Sequence, residues 1–193
     1  VLIERMIQLL SDEKNKSELN IAGRYWNEER VGGQINYDIN NNQGSNQIYG
    51  QTAKINSIDG YVRFTKVTDE TSGFKLYLNA NYYDQNSFYG VTNYDAYQNN
   101  FVAMGLYEFE LSDQFVFKTG MSYKYLKINE DISFLDTTNK TYAGNYLNVQ
   151  SIPGIFAENS FNLLNDKATL MTGIRFDNVN DYGLIFTPRV LFR

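Results

Sequence analysis

Residues 152–193 read IPGIFAENSFNLLNDKATLMTGIRFDNVNDYGLIFTPRVLFR, and most of this stretch alternates with period two. Within Ala168–Asp177 one side takes Ala168, Leu170, Thr172, Ile174 and Phe176, and the other takes Thr169, Met171, Gly173, Arg175 and Asp177. Successive side chains on a strand point to opposite faces, so the segment is a strand with one apolar wall and one polar wall. Leu184–Arg193 repeats the design, with Leu184, Phe186, Val190 and Phe192 opposed to Thr187, Arg189 and Arg193. A half-buried soluble sheet and a transmembrane barrel both alternate in this way, and the remainder of the chain has to separate them.

Composition narrows the chemistry. The 193 residues contain no cysteine and no histidine, which removes disulfides, thiolate nucleophiles, Cys/His metal sites and imidazole acid–base catalysis. A net charge of −5 argues against a nucleic-acid partner, which wants a basic surface. The 16 Tyr and 13 Phe against only 2 Pro suit pleated surfaces. No apolar run approaches the roughly 18 residues of a membrane helix. The N-terminal VLIERMIQLLSDEK has neither the basic region nor the apolar core of a signal peptide, and it reads as the interior of a longer protein.

Alternation recurs along the chain. Strands are predicted at 1–10, 19–26, 60–67, 74–83, 101–110, 115–125 and 146–162, before the two at 168–177 and 184–193. Residues 1–10 fit a helical stripe nearly as well, and 101–110 has no clear sidedness. Polar turns separate these segments at 11–17, 68–73, 111–114 and 163–167, and longer polar loops at 27–58, 84–97, 129–145 and 178–182. The two kinds of connection alternate. That is the plan of an antiparallel up-and-down outer-membrane barrel, with short turns on the periplasmic side and longer loops outside. Tyr25, Tyr82, Tyr83, Tyr123 and Tyr125 at strand ends suit the aromatic girdles of such barrels. The faces read as inward carry Arg24, Arg63, Lys75, Lys118, Lys124 and Arg175, more charge than a dry core tolerates.

Four segments resemble the TonB-dependent receptors of the Gram-negative outer membrane, in particular the Bacteroidetes-type siderophore or cobalamin receptors. Gly23–Gly33, GRYWNEERVGG, is similar to the family's RYY-x-ED-R-x-GG block. Ile48–Gly60, IYGQTAKINSIDG, is similar to YGE-x-I-x-T-x-R-x-E, although Gln51 replaces the acid and Ser57-Ile58-Asp59 departs from the pattern. Tyr83–Gln98, YDQNSFYGVTNYDAYQ, resembles HDQ-x-S-x-YG…Y-x-A-x-Q. Pro153–Phe156, Gly173–Asp177, Tyr182-Gly183 and Thr187–Arg189 resemble the PGIF…GLRYD…YG…TPR series found mid-barrel. These blocks occur in the family's order and are spread from residue 23 to residue 189.

The resemblance implies about nine strands of a barrel of about 22, with the plug domain and the TonB box outside the chain. It implies an outer-membrane location and lipid contact. It also implies TonB as energising partner through the plug, a metal-chelate or cobalamin-type ligand, and room for a surface lipoprotein as partner. No cofactor, metal or catalytic residue is expected. Trp26, Tyr49, Phe88, Tyr89, Tyr94 and Tyr97 are the candidate ligand contacts, with girdle or loop packing as the plainer reading of each. Arg24, Glu28, Glu29 and Arg30 read as a ligand patch or as a lumen ion-pair network, and Arg175 and Arg189 as lumen groups facing the plug. Pro188 belongs where a ladder hydrogen bond can be spared. Carboxylates at Asp136, Asp84 and Asp95 lack any calcium-loop spacing. Two other functions remain open at this point, a small stand-alone barrel acting as adhesin or anchor and an outer-membrane barrel enzyme. Ferric siderophore, cobalamin and haem are equally compatible ligands.

Overall fold

A computed structural model describes residues 16–135, 142–164 and 167–193 in full, and the backbone of 2–12. The chain is all-β: a single antiparallel sheet of nine strands in strict sequence order, each paired with the next, which does not close on itself. The strands are β1 (Leu2–Asp12), β2 (Ser17–Gly33), β3 (Gly50–Val67), β4 (Ser72–Tyr89), β5 (Thr92–Ser112), β6 (Phe115–Phe134), β7 (Gly144–Leu163), β8 (Ala168–Val179) and β9 (Gly183–Phe192). The ambiguous N-terminal segment is therefore a strand, antiparallel to β2.

The strands are longer than alternation of apolar residues suggests, and the expected long loops shrink accordingly. The polar stretch 27–58 is mostly β2 and β3, which stay paired out to Gly33 and Gly50. Only 34–49 is loop, with a single helical turn α1 (Ile39–Asn42) capped by the Asp38 carboxylate. The stretch 84–97 is a continuous hairpin whose connection is Gly90-Val91, with Gly90 at φ 59° where a two-residue turn demands glycine. Likewise β6 and β7 stay paired through Ile132 and Gly144. Backbone ladders do not require apolar side chains where both faces are wet, so an Asn- and Asp-rich strand looks like a loop in sequence. The rule of alternating loop length thus fails at the β4–β5 connection, which is as short as the Asp113-Gln114 turn between β5 and β6, and at the β8–β9 connection, where residues 180–182 are fewer than the residues 68–71 between β3 and β4. What distinguishes the two ends of the sheet is how far the strands run past the apolar zone.

From β2 to β9 the register sorts side chains into two faces, with one shift between Glu110 and Ser112 at the lower end of β5. One row across the sheet is Leu19, Phe64, Leu76, Gly105, Met121, Ile155, Phe176 and Phe186. A second is Ile21, Val62, Leu78, Ala103, Tyr123 and Pro153. Residues on the adjacent, opposite-facing row are Glu18, Thr65, Lys75, Leu106, Gly120, Phe156, Arg175 and Thr187. All six basic residues expected on one face lie there: Arg24, Arg63, Lys75, Lys118, Lys124 and Arg175. In β5, Phe101, Ala103, Gly105, Tyr107 and Phe109 join the apolar face and Glu108 the polar face. Its sidedness was hidden because Val102, Met104 and Leu106 are apolar too. Among the described residues only Ile55 and Ala168 are buried apolar side chains. A sheet must bury its apolar face against another layer, and no second layer lies on this one among the described residues.

Candidate functional site

The apolar face forms a belt. Along β6 it runs from Phe115 through Phe117, Thr119, Met121 and Tyr123 to Tyr125. Ten residue steps at ~3.4 Å make about 34 Å along the strand, or about 24 Å of height at a ~45° tilt. Spanning barrels carry an apolar band of about 25 Å. Rings mark both borders. The lower one has Tyr107, Phe109, Phe117 and the Phe115–Phe161 pair, whose centroids are 4.6 Å apart. The upper one has Tyr25 and Tyr82, both exposed. Above that border the same face turns mostly polar over two rows: Asn27, Asn56, Asp84, Tyr97, Asn129 and Leu147, then Glu29, Lys54, Asn86, Asp95, Asp131 and Asn145.

The opposite face carries charged or polar side chains at every level, interspersed with Val102, Met104, Leu106 and Phe156. At belt height Glu108 holds both Lys118 (3.1 Å) and Lys75 (3.4 Å). The same row continues through Glu158 and Gly173 to Arg189, so charges alternate in sign from strand to strand. The Arg175 guanidinium donates to both Asp177 oxygens at 2.6 Å and to Ser122 Oγ at 2.7 Å. Gly154 makes room for this clamp, because a Cβ there would meet Asp177 Oδ1, Arg175 Nη2 and Ser122 Oγ. Arg24 donates to Asp59 at 2.9 Å, and Asn81 donates to the other Asp59 oxygen at 2.8 Å. Arg63 reaches Glu18 at 3.4 Å. Such a ladder needs water or a polar partner on its open side, since isolated charges are not stable in hydrocarbon.

The upper polar face holds the densest cluster of candidate contacts. Trp26, Ser57, Tyr83 and Gln98 share one row, and Arg30, Ala53, Ser87 and Tyr94 share another. Tyr83 donates to Gln85 Oε1 (2.7 Å), and Gln85 Nε2 donates to Ser87 Oγ (2.8 Å) and Tyr89 Oη (3.3 Å). Tyr94 donates to Glu130 at 2.6 Å. Burial first, and then this bond to Glu130, push the Tyr94 phenol up to about 12, and burial raises Tyr83. Both therefore stay protonated donors at neutral pH. Arg30 grips Glu28 through two nitrogens at 2.5 and 2.9 Å. That bond holds the Glu28 carboxyl below and the Arg30 guanidinium above their ordinary values. Arg30, Gln51, Ile55, Tyr83, Gln85 and Tyr89 surround a hollow of about 360 Å³.

The expected contacts divide among three places. Trp26, Tyr89 and Tyr94 come together on the upper polar face with Arg24, Glu28 and Arg30. Phe88 and Tyr97 lie on the other side of the sheet, where Lys127 Nζ sits 5.8 Å from the Tyr97 ring centre. Tyr49 stands at the tip, its ring against Gly90. Glu29 is also on the other face, paired with Lys54 at 3.6 Å. Tyr83, expected in an aromatic girdle, belongs instead to this cluster on the polar face, and sequence reading did not point to Gln85, Ser87 and Glu130. Extending the alternation of β4 through 83–89 was the available signal. Asp84 and Asp95 sit above the belt on the apolar-face side, with Asp95 accepting from the Asn93 amide at 2.9 Å. Asp136 lies outside the described residues. Among the described residues no three acidic side chains are grouped to hold a metal, and no helix is long and apolar enough to cross a membrane.

No protein-family model matches the chain, and no curated protein is significantly similar to it in sequence.

Proposed function

We propose that this sheet is part of the wall of an outer-membrane β-barrel, and that the whole protein is a TonB-dependent active transporter. It would bind a scarce nutrient complex (a ferric siderophore, cobalamin or haem) and import it. One observation carries the reading. An apolar belt of membrane height, bordered by rings, backs onto a face of paired charges, and beyond the belt both faces are polar. A soluble domain gains nothing from ending its apolar face at a fixed height across successive strands. A bilayer imposes that limit. In this reading β1 and β9 pair with further strands, because open edges are not tolerated in lipid. The strand extensions stand outside the cell and bring Trp26, Tyr83, Tyr89 and Tyr94 over the lumen mouth. The charge ladder faces water and the plug.

The test uses the intact protein in its own cells. Intact cells of wild-type and deletion strains are assayed for uptake of labelled cobalamin, haem and ferric siderophores, with and without a working TonB, and their isolated outer membranes are washed with alkali. The expected result is an alkali-resistant membrane protein whose loss abolishes TonB-dependent uptake of one of the three. Release of the protein by alkaline washing, or unchanged uptake of all three, would overturn the proposal.

A further inference from the structure

A groove of about 830 Å³ crosses the apolar face from Phe74 on β4 to Leu184 on β9. Five strand spacings at ~4.8 Å make it about 24 Å long. Its floor is low because β5 presents only Ala103 and Gly105 to this face where the flanking strands present Leu76, Leu78, Met121 and Tyr123. The Phe74 ring leans over Gly105, about 3.7 Å from where a Cβ would stand, so a methyl group fits and a larger side chain does not. No Asp, Glu, Lys or Arg lines the groove. Polar atoms gather at the upper end, at Asn178 and at the Tyr123 hydroxyl, which accepts from Ser151 Oγ at 3.0 Å. At the lower end the Tyr107 hydroxyl is turned to the β3–β4 turn, donating to Ser72 Oγ at 2.7 Å.

We infer that the groove holds one acyl chain of a membrane lipid, with the lipid's polar end at Asn178 and Tyr123. The inference rests on the membrane-facing reading of the belt. The occupant follows from the chemistry of the wall. A peptide laid in the groove would bring backbone N–H and C=O groups against carbon, and each would lose its hydrogen bonds at a cost of kilocalories. A hydrocarbon chain has no polar group along its length and a single polar terminus, which is the pattern that the groove presents. The groove is also continuous with the belt, so a chain enters it sideways from the bilayer. A bulk lipid touches a convex wall on one side, whereas a chain in this groove touches Leu76 on one flank and Ile155 and Phe176 on the other.

The experiment compares the intact protein, purified from outer membranes in mild detergent, with its Gly105→Leu, Ala103→Phe and Gly105→Ala variants. Native mass spectrometry and lipid extraction count lipids kept after prolonged washing. The wild type and Gly105→Ala are expected to keep one lipid per chain. The two larger substitutions should keep about tenfold less, the loss expected when roughly two methylene groups are excluded from an apolar wall. Gly105→Ala controls for folding, since the site accepts its methyl. Equal retention in all four proteins, with each resident in the outer membrane, would sink the groove and leave the barrel reading standing. Disulfide-linked dimers formed through Gly105→Cys in native membranes would overturn it in favour of a second copy. Absence of the wild-type protein from the outer membrane would overturn both.

Discussion

Met121→Arg puts a guanidinium at mid-height of the apolar face, between Gly105 and Ile155. Met121 is 69% exposed. If water covered this face, the substitution would be an ordinary surface change within about 0.5 kcal/mol. If lipid covers it, the cost is the depth-dependent penalty for arginine near the midplane of a barrel wall, about 2–4 kcal/mol. That corresponds to a shift of roughly 30- to 1,000-fold in the folding equilibrium. Leu126→Arg is the companion change, five residues along β6 on the polar face, between Asn100 and Gln150. Neither neighbour is charged, and the new cation joins a face that already carries Arg24 and Lys124. Its cost is expected to stay below about 1 kcal/mol. The assay is urea unfolding of the intact protein refolded into phospholipid vesicles, followed by tryptophan fluorescence. Midpoints are converted with a common m-value. A Met121→Arg protein within 0.5 kcal/mol of wild type, beside a clearly weakened Leu126→Arg protein, would refute the assignment of faces.

Gly154→Ala should cost about 1–3 kcal/mol, because its methyl displaces the Arg175 clamp from Asp177 and Ser122; the same unfolding assay reads it. The Asp69 carboxylate is held below its usual range by bonds from Ser72 Oγ and the Thr71 N–H in the β3–β4 turn. Its stabilisation of that turn is present above about pH 4 and lost as pH falls through the lowered value. Proteolysis at the turn should therefore accelerate with acidification in the wild type, and an Asp69→Asn protein should show no such pH dependence. Tyr94 titrates near pH 12, so Tyr94→Phe should remove one late-ionising phenol from the alkaline ultraviolet titration. Tyr89→Ala and Trp26→Ala should weaken ligand binding to whole cells about tenfold or more, whereas Phe88→Ala, on the opposite face, should leave it unchanged.

The belt portions of β2, β3, β4, β6, β8 and β9 were legible because most apolar side chains there alternate with polar or charged ones, and a two-faced strand announces its own register. β5 was silent on that point, since Val102, Met104 and Leu106 match the hydropathy of the face that they oppose. The upper halves of β2 to β6 were hidden for a different reason, whereas β7 matches the strand expected at 146–162 nearly end to end. Where both faces meet water, no apolar period exists, and Asn, Asp, Tyr and Gly carry the look of a loop while their backbones continue the ladder. That error carried over to the ligand candidates. Phe88, Tyr89, Tyr94 and Tyr97, which fall in the expected loop 84–97, are strand residues, and parity sends Phe88 and Tyr97 to the other side; Trp26 lies in the strand expected at 19–26. Cross-strand partnerships such as Tyr94 with Glu130, or Arg175 with Ser122, depend on register between strands and are not local properties of the sequence.

The strand order carries a consequence for how the sheet comes into being. Among the described residues each of β1 to β8 hydrogen-bonds to its immediate successor, and no strand pairs with a distant segment. Each pairing therefore closes only a short stretch of chain, at low loop-closure entropy, and the sheet can grow one hairpin at a time. The same order makes the hairpin a modular unit. A pair such as β4–β5 can be duplicated, lost or exchanged without rethreading the chain, provided that the new rows keep apolar and polar parity with their neighbours.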